Sequence, residues 1–377
     1  MPLLEKLQRL GGAAAWDSCG GVKQKSLRKS KVPASYANFV HDCAATSEQC
    51  RLMKVLQSNV CIHDCKYCMN SSCKKGKVEL APIEVAKSFD SLERRGWVQG
   101  LFLSSAVAGE ADRAAEKMIE SARLLRKRFG FHGYIHLKVL PTMSKHLIFE
   151  MAGLADRLSV NLEVPNKSRL QMLGSTKDYQ RDLQKRLLYI DEAKRKGLLK
   201  SFTTQLILGA AGESDLEVLD KMDWLYENTG LHRTYFSAFQ PIDGTPLEKR
   251  DAEKPLREHQ LYQADWLLRV YGFKLREVKA GLGERNNFGN ARDVKFAIAA
   301  NNQNNFPVDV NNATREELLR VPGIGPVGAE RILAEREECN RKFSDAKELQ
   351  KIGIVVKRAM PFLQLERKKQ SRVSAFC

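Results

Sequence analysis

Three cysteines in one short loop are the residues of this chain with the most specific chemistry. Cys61, Cys65 and Cys68 lie in the stretch SNVCIHDCKYCMN with the spacing C-x3-C-x2-C, and Tyr67 directly precedes the third. Three thiolates this close together can hold one iron–sulfur cluster and leave one iron without a protein ligand. Such an open position can bind a substrate or cofactor, as the open position of a catalytic zinc site does. Structural zinc is the alternative, but it needs a fourth ligand, for which His63 is the local choice.

The cysteines as a group are concentrated in the first part of the chain. Seven of the nine lie between Cys19 and Cys73. Clustering of this kind favours metal binding or catalysis over disulfides in a reducing compartment. The remaining members of this group have no recognised spacing, so they are either ligands of a second iron–sulfur cluster or thiols without such a role: Cys19, Cys43, Cys50 and Cys73.

The elements that must position the triplet follow a regular alternation. Between residues 52 and 275, six short β-rich stretches alternate with longer stretches whose apolar residues recur every three or four positions, as in helices. The β-rich stretches are LMKVLQSNV, VQGLFLSS, GYIHLKVL, DRLSVNLEV, SFTTQLILG and RTYFSAF. Six strand–helix units in series predict an α/β fold with a parallel sheet curled into a partial barrel. A doubly wound open sheet is the alternative. In a barrel, the functional groups follow the carboxyl ends of the strands.

The triplet, the aromatic residue before its third cysteine and the strand that precedes it resemble the radical S-adenosylmethionine (SAM) superfamily. The resemblance covers about residues 52–275 and implies a partial (β/α)6 barrel. It also implies that Cys61, Cys65 and Cys68 hold a [4Fe–4S] cluster whose fourth iron binds S-adenosylmethionine. Reductive cleavage of that cofactor gives a 5′-deoxyadenosyl radical, which abstracts hydrogen from an unactivated carbon.

The same resemblance suggests further cofactor-binding positions. Ser104 and Ser105 stand where the family usually has a glycine-rich pair and an acidic residue, so this assignment departs from the family pattern. Glu163 resembles a carboxylate that binds ribose hydroxyls or the methionyl amine, and an ordinary ion pair at a strand end is its alternative. The complete set of cofactor-binding predictions is Tyr67, Ser104, Ser105, Asn161, Glu163, Arg169 and Gly209.

Two members of this set have alternatives that do not involve a cofactor. Arg169 is predicted to meet the methionyl carboxylate in bidentate fashion, but it fits a surface arginine equally well. Gly209 and Gly212 are predicted to bring backbone close to adenine, and a simple turn explains both glycines as well.

The charge of the chain predicts a polyanionic partner. Lysine and arginine number 62 against 45 aspartate and glutamate, which gives a formal net charge of +17 and a pI of about 9.5. Such an excess is typical of proteins that bind nucleic acid, although a generally basic proteome also produces it. No apolar stretch approaches the length of a membrane span. The first residues, MPLLEKLQRLGG, lack the apolar core of a secretory signal, so a cytoplasmic protein is expected.

A second motif lies near the end of the chain, in DVNNATREELLRVPGIGPVGAERILAERE. Two short amphipathic stretches flank PGIG, and glycine there leaves backbone amides uncovered at the start of the second helix. The pattern resembles the helix-hairpin-helix motif, which binds the backbone of duplex DNA without reading bases. A helical hairpin used only for packing or protein contact is the alternative. A degenerate second copy follows at KIGIV. The predicted DNA-binding residues are Arg320, Gly323, Ile324, Gly325 and Arg331.

These features predict a radical SAM barrel followed by a small all-α helix-hairpin-helix domain. The predicted domains are residues 1–51 (a solvated, basic, cysteine-containing segment), 52–275 (the barrel), 276–305 (a linker rich in glycine and asparagine), 306–365 (the hairpin domain) and 366–377 (a basic tail).

The combination of motifs resembles a family of radical proteins assigned to DNA modification or repair. The predicted function is therefore a radical SAM enzyme that acts on DNA, with duplex DNA and an electron donor such as flavodoxin or ferredoxin as partners. Modification of RNA, transfer RNA above all, is the first alternative. A zinc protein that binds nucleic acid without catalysis is the second.

Overall fold

The structure is a computed structural model that describes residues 1–17, 32–44, 49–71 and 76–365. Its chain divides into two compact units. The first unit comprises Met1–Glu213 and Trp224–Glu258, and the second comprises Ser214–Asp223 and His259–Cys377. Among the described residues, no helix combines the length and the apolar character that crossing a membrane requires.

A single sheet of seven strands forms the first unit. Strand β1 is antiparallel to β2, and β2 to β7 are parallel in the order of the sequence. The strands are β1 (Val40–Ala44), β2 (Gln49–Leu56), β3 (Gly100–Ser104), β4 (Tyr134–Lys138), β5 (Arg157–Ser159), β6 (Ser201–Leu208) and β7 (Arg233–Ala238). The six parallel strands confirm the predicted partial (β/α)6 barrel. Their sequential order excludes the doubly wound sheet, whose strand order reverses at a switch point.

Helix α1 (Leu3–Ala14) precedes the sheet, and the other helices connect the successive parallel strands. They are α2 (Pro82–Arg94), α3 (Ala111–Arg123), α4 (Lys145–Leu154), α5 (Lys167–Leu173), α6 (Lys185–Arg195) and α7 (Asp215–Asn228). Their buried residues recur at helical spacing: in α3, Ala111, Ala115, Met118 and Ala122 all face the interior. The strands β3 and β5 are buried throughout, as expected for a parallel sheet that helices cover.

The N-terminal segment differs from the prediction of a solvated stretch over residues 1–51. Helix α1 packs against β2, with Leu7 and Leu10 buried, and β1 extends the sheet by one antiparallel strand. The basic run from Lys23 to Lys31 lies outside the described residues.

The second unit is mainly helical. Its helices are α8 (Pro255–Arg269), α9 (Leu275–Lys279), α10 (Val294–Asn301), α11 (Arg315–Arg320), α12 (Pro326–Glu337), α13 (Ala346–Lys351) and α14 (Val356–Ala359). The stretch 276–305, predicted to be a linker, carries α10 and most of α9. A two-stranded parallel sheet of β8 (Val308–Asp309) and β9 (Leu363–Gln364) adds to the predicted all-α domain. Apolar residues of α10 to α14 form one core with Val310 and Phe343.

Candidate functional site

The cysteine loop lies at the carboxyl end of β2. Cys65 is buried, Cys61 and Cys68 are partly exposed, and all three line one pocket. The backbone amides of His63 and Asn70 donate hydrogen bonds to Cys61 Sγ and Cys68 Sγ, each at 3.4 Å. Hydrogen bonds to sulfur are one of the means by which a protein tunes an iron–sulfur cluster. The loop therefore directs three sulfur atoms, two of them with backbone hydrogen-bond donors, into the same pocket.

The loop is anchored to the segment that follows α5. The carboxylate of Asp64 accepts hydrogen bonds from the amide and hydroxyl groups of Ser175 and Thr176, and the hydroxyl groups lie 2.7 Å away. Although burial opposes it, these hydrogen bonds, led by that of the Ser175 amide, hold the pKa of Asp64 below its usual range. The Lys66 amide also donates to the Leu173 carbonyl at 2.8 Å. These contacts fix the position of the following residue, Lys177, relative to the cysteines.

Lys177 brings a positive charge to the thiols. Its ammonium group lies near the Cys65 thiol, and each group shifts the pKa of the other. Burial works against the charged form, but Cys65 and then Glu163 raise the pKa of Lys177 above its ordinary value, so the group stays cationic. Lys177 is not among the residues predicted from the sequence. The letters STKDY give no sign that the loop after α5 returns to the cysteine triplet.

Glu163 is the carboxylate of the pocket. The Tyr67 hydroxyl lies near it, and burial raises the pKa of Glu163 above its usual range. Its Oε2 atom is buried and has no hydrogen-bond partner within the described part of the chain. An unpaired buried polar atom costs about 1–3 kcal/mol, which a hydrogen-bond donor on a ligand would recover.

The backbone at Glu163 is also unusual. Its φ of 66° lies in the left-handed region, where residues other than glycine are uncommon. Two hydrogen bonds to β6 hold this conformation: Glu163 N donates to the Gln205 carbonyl at 3.0 Å, and Ile207 N donates to the Glu163 carbonyl at 2.7 Å. Strain of this kind concentrates at functional sites, where the surrounding structure maintains it.

His63 is a second residue with an unused polar atom. Its Nδ1 pairs with Thr176 Oγ1 at 3.0 Å, and its buried Nε2 has no partner among the described residues. Burial, followed by the nearby charge of Lys177, lowers the pKa of His63 to about 4, so the ring is neutral at physiological pH. Because Nδ1 is held by Thr176, Nε2 is the nitrogen left for a ligand.

The remaining walls of the pocket combine polar and apolar residues. Asn161 accepts a hydrogen bond from the Lys138 ammonium at 2.6 Å, and that ammonium also pairs with Asp17 at 2.5 Å. The predicted residues Ser104 and Ser105 are buried and line the pocket. Apolar side chains, which exclude water, complete the wall: Val107, Val139, Leu140, Val160 and Ile207. The empty volume is about 1150 Å³, including space open to solvent, which is ample for a cluster and a nucleoside cofactor.

The arrangement of donors bears on the kind of metal centre. Among the described residues, no group of three His, Cys, Asp or Glu side chains could hold a metal ion. A mononuclear zinc site needs every sulfur about 2.3 Å from one ion. A [4Fe–4S] cluster instead binds each thiolate through a different iron, so its ligands are spread further apart. The three sulfur atoms line one pocket, as three ligands of a single cluster must.

Burial also affects the protonation of the thiols. It raises the pKa of Cys65 above its ordinary value, and it raises that of Cys68 to about 12, with the neighbouring Cys65 adding to the shift at Cys68. Metal ligation requires thiolates, so binding of iron has to release these protons.

Two predicted cofactor residues lie elsewhere in the structure. Arg169 does not line the pocket, and its Nη1 donates to the Ala211 carbonyl at 3.1 Å. Gly209 is also outside the pocket lining. Its φ of 85° is left-handed, and a Cβ there would lie 2.5 Å from Glu253 Oε2. The absence of a side chain at Gly209 thus permits a close approach by Glu253.

The other cysteines of the N-terminal group do not all gather around the triplet. Cys43 and Cys50 are paired in register between β1 and β2, at the amino-terminal end of β2. Cys50 precedes Leu56, where β2 ends, by six positions, or roughly 20 Å of strand. Cys19 and Cys73 lie outside the described residues, so a second cluster remains only a prediction.

The second unit contains two helical hairpins. Helices α11 and α12 flank the PGIG turn, and α13 and α14 flank the predicted second copy. Gly323 has a φ of 86°, and a Cβ there would lie 2.7 Å from the Val355 carbonyl oxygen. The Val355 amide in turn donates to the Gly323 carbonyl at 3.3 Å, which joins the two turns. Gly325 is the N-cap of α12, whose first-turn amides have no acceptor within the helix. Ile324 is buried, so only its backbone can serve the predicted contact.

The two arginines predicted to contact DNA are engaged within the chain. Arg320 forms a bidentate pair with Glu277, at 2.9 and 3.0 Å, and its guanidinium lies over the Phe273 ring. Arg331 donates to the Ile352 carbonyl at 2.9 Å. Arg320 therefore braces α11 against α9, and Arg331 braces α12 against the second turn.

Comparison with known protein families gives two matches. Residues 55–225 match the family model of the radical SAM superfamily, and residues 303–358 match that of the helix-hairpin-helix motif. No curated protein matches the chain.

Several solved structures are similar to part of the chain. The FeFe-hydrogenase maturase HydG from Carboxydothermus hydrogenoformans is 15% identical, with 57% of this chain and 50% of that chain covered and a TM-score of 0.47. Methylornithine synthase (PylB) is 16% identical, with 56% and 60% covered and a TM-score of 0.46. The radical SAM methyltransferase TsrM from Kitasatospora setae is 13% identical, with 69% and 43% covered and a TM-score of 0.42. The chain thus spans between 43% and 60% of the length of these proteins.

Residues 55–225 are therefore similar to the radical SAM superfamily, whose members bind a [4Fe–4S] cluster and S-adenosylmethionine, and residues 303–358 are similar to the helix-hairpin-helix motif, which is associated with nucleic-acid binding.

Proposed function

We propose that this protein is a radical S-adenosylmethionine enzyme that modifies or repairs DNA. The observation that carries the catalytic part is the pocket in which three cysteine sulfurs lie together with the unpaired Oε2 of Glu163 and the unpaired Nε2 of His63. Sulfur ligands and unsatisfied polar atoms in one buried space are the features expected where a cluster and a polar cofactor bind together.

Each residue of the pocket has a role in this proposal. Cys61, Cys65 and Cys68 bind three irons of the cluster, and the fourth iron is left for S-adenosylmethionine. When bound and reduced, this pair of cofactors supplies a 5′-deoxyadenosyl radical, which abstracts a hydrogen atom from the substrate. The Lys177 ammonium is available for the carboxylate of the methionyl group. Glu163 accepts hydrogen bonds from the methionyl amine or the ribose hydroxyls, and Tyr67 lies beside it.

The nucleic-acid part of the proposal rests on the hairpins and on charge. The match of residues 303–358 to the helix-hairpin-helix motif and the net charge of +17 both favour a polyanionic substrate. Duplex DNA is favoured over RNA because the turn of this hairpin resembles those that bind the DNA backbone. Backbone amides at the start of α12 provide the contact, since Arg320 and Arg331 are engaged within the chain. A one-electron donor, such as flavodoxin or ferredoxin, supplies the reducing electron.

Anaerobic reconstitution with iron and sulfide tests the catalytic part. The wild-type protein should turn brown and, with dithionite and S-adenosylmethionine, should produce 5′-deoxyadenosine. Cys65→Ala should lose both the colour and the product, whereas Cys339→Ala, which changes an exposed cysteine of the second unit, should keep both. A colourless protein with bound zinc, or full activity of Cys65→Ala, would contradict the proposal.

Competition between nucleic acids tests the substrate class. Labelled duplex DNA should be displaced by unlabelled duplex at lower concentrations than by transfer RNA, with both measured at the same stated salt concentration. The reverse order would favour the RNA alternative. Mass spectrometry of genomic DNA digests from cells with and without the gene would then identify the altered nucleotide.

A further inference from the structure

A groove in the second unit is lined by aromatic and cationic side chains. They come from α8, from the segment between α8 and α9, from the segment that leads into α10, and from α14. The residues that matter for recognition are His259, Tyr262, Trp266, Tyr271, Arg292 and Arg358. These aromatic and cationic side chains belong neither to the barrel pocket nor to the hairpin turns, so the functions proposed for those regions do not explain them.

Three of these side chains share one face of α8. His259, Tyr262 and Trp266 are spaced by three and four residues, which places them along one side of a helix. The opposite side provides the packing, since Leu261, Ala264 and Leu267 are buried. Trp266 is 47% exposed, so its ring remains available to a partner. An exposed indole beside a tyrosine offers flat surfaces on which nucleic-acid bases stack.

The wall opposite α8 is held in place by glutamine side chains. Gln263 accepts a hydrogen bond from the Val294 amide at 2.8 Å and donates to the Arg292 carbonyl at 3.0 Å. Gln260 donates to the carbonyl oxygens of Gly289 and Ala291. These contacts fix the segment before α10 against α8, so the groove is formed without a ligand.

The groove is continuous with the first hairpin turn. A Cβ on Gly325 would lie 3.0 Å from the Tyr271 hydroxyl. Lys295, beneath the groove, donates to the Ile324 carbonyl at 2.5 Å, and its ammonium lies 4.8 Å from the centre of the Tyr271 ring. A nucleic acid bound at the turn would therefore lie beside the aromatic face.

The charge of the groove is positive at its outer edge. Arg292 is exposed, and its guanidinium has no partner among the described residues. Arg358 is paired with Asp293, which removes most of its effect on a phosphate. Arg292 is thus the cation that remains to bind a backbone phosphate.

We infer that this groove binds unpaired nucleotides of DNA, with bases stacked on Trp266 and Tyr262 and a phosphate bound by Arg292. The inference rests on the proposed action on DNA. Bases within a duplex are already stacked on each other, so only a single-stranded or extruded nucleotide can use these rings. A site of this kind beside the hairpin would bind DNA with locally unpaired nucleotides more tightly than intact duplex. An enzyme that acts on a nucleotide inside a duplex needs this local opening.

Binding of two DNA probes to the full-length protein tests the inference. One probe is a blunt duplex of about 20 base pairs, and the other is the same duplex with a thymidine tail of about six nucleotides. The wild type should bind the tailed probe more tightly. Trp266→Ala should weaken binding of the tailed probe about 10-fold and leave the blunt probe unchanged, and Trp266→Phe should retain most of the affinity.

Charge is tested separately at Arg292. Arg292→Ala should weaken binding of the tailed probe and lower the slope of log affinity against log salt by about 1. Arg276→Ala removes an equal charge from an exposed position of the same unit, outside the groove lining, and should have a smaller effect on the tailed probe. Because Arg292 is exposed, its variant gives a result even if a change at Trp266 disturbs folding.

The outcomes separate this inference from the proposed function. If the wild type binds both probes equally and neither Trp266→Ala nor Arg292→Ala changes this, the groove inference is overturned while duplex binding stands. Equal loss on both probes would also overturn it, because the groove would then be a duplex surface. Tight binding of the tailed probe alone, dependent on Trp266, would support the groove and contradict duplex recognition by the hairpin.

Discussion

In the barrel pocket, Glu163 and His63 each keep a buried polar atom without a partner, whereas in the second unit Arg320 and Arg331 are already hydrogen-bonded within the chain. Both regions were assigned a ligand from sequence motifs. Their side chains are used differently, because the pocket leaves polar groups unsatisfied at a cost to stability, while the hairpins use their charges to hold helices together.

This difference follows from the ligands that the two regions are proposed to bind. A small polar cofactor in a closed pocket needs several buried donors and acceptors aimed at it, and these are unsatisfied without it. A DNA backbone is bound at a surface, where the amides of a helix N-terminus point to water when unoccupied and cost little. Residue type alone therefore indicates function more reliably in the pocket than on the hairpins.

Substitution of Glu163 should have the largest effect and tests whether its strain serves binding. Glu163→Ala and Glu163→Gly both remove the carboxylate, so each should weaken binding of S-adenosylmethionine by the reconstituted protein at least about 10-fold. Only glycine relieves the left-handed φ of 66°. The free energy of unfolding of the glycine variant should therefore be about 1 kcal/mol higher than that of the alanine variant.

Isothermal titration and urea unfolding measure these two quantities, with iron content as the control for an intact cluster. If both variants bound S-adenosylmethionine with wild-type affinity, Glu163 would not be part of the binding site. Equal stability of the alanine and glycine variants would mean that the backbone conformation carries no strain.

Substitution of Arg320 tests whether the arginines of the second unit stabilise the fold. Arg320→Ala removes a partly buried bidentate pair with Glu277 and the contact with Phe273, so the free energy of unfolding should fall by about 1–2 kcal/mol. Affinity for blunt duplex DNA should change less than about 2-fold, since the backbone amides of the turn are retained.

Thermal unfolding and duplex binding at one salt concentration provide the measurement. Lys357→Ala, which removes an exposed charge from α14, is the control for a general effect of net charge. If Arg320→Ala lost much of its DNA affinity while its stability was unchanged, Arg320 would be a DNA contact. The arginine would then serve ligand binding, as the polar groups of the barrel pocket are proposed to do, and the two regions would not differ in this respect.

Sequence reasoning predicted the parts of the site that depend on local order. The cysteine spacing, the six strand–helix units and Glu163 at the end of β5 all follow from residues that are close in sequence. Lys177 could not be predicted, because its position depends on Asp64 binding Ser175 and Thr176, more than 100 positions away. Asp17 reaches Lys138 across a similar separation. The pairing of Arg320 could not be predicted for the same reason, since its partner Glu277 lies 43 positions earlier.

Lys295 is an exception within the second unit, because its charge is buried without a carboxylate partner among the described residues. Its ammonium contacts only the Ile324 carbonyl and the Tyr271 ring, and burial, followed by repulsion from Arg320, lowers its pKa to about 7. The unfolded chain, where the pKa of lysine is near 10.5, therefore holds this proton more tightly than the folded chain does. The free energy of unfolding should rise with pH between about 7 and 10, by at most about 1.4 kcal/mol per pH unit from this group.

Urea unfolding across that pH range, compared between the wild type and Lys295→Met, isolates this contribution because other titrating groups are common to both. The variant should lack the part of the slope due to Lys295, and Lys347→Met, at an exposed position of the same unit, should keep it. Parallel curves for the wild type and Lys295→Met would mean that the ammonium is solvated in the folded protein. Lys295 donates a hydrogen bond to the Ile324 carbonyl within the PGIG turn. A smaller pH dependence in Lys295→Met would therefore also show that the hairpin turn, like the barrel pocket, contains a buried polar group that lowers the stability of the protein.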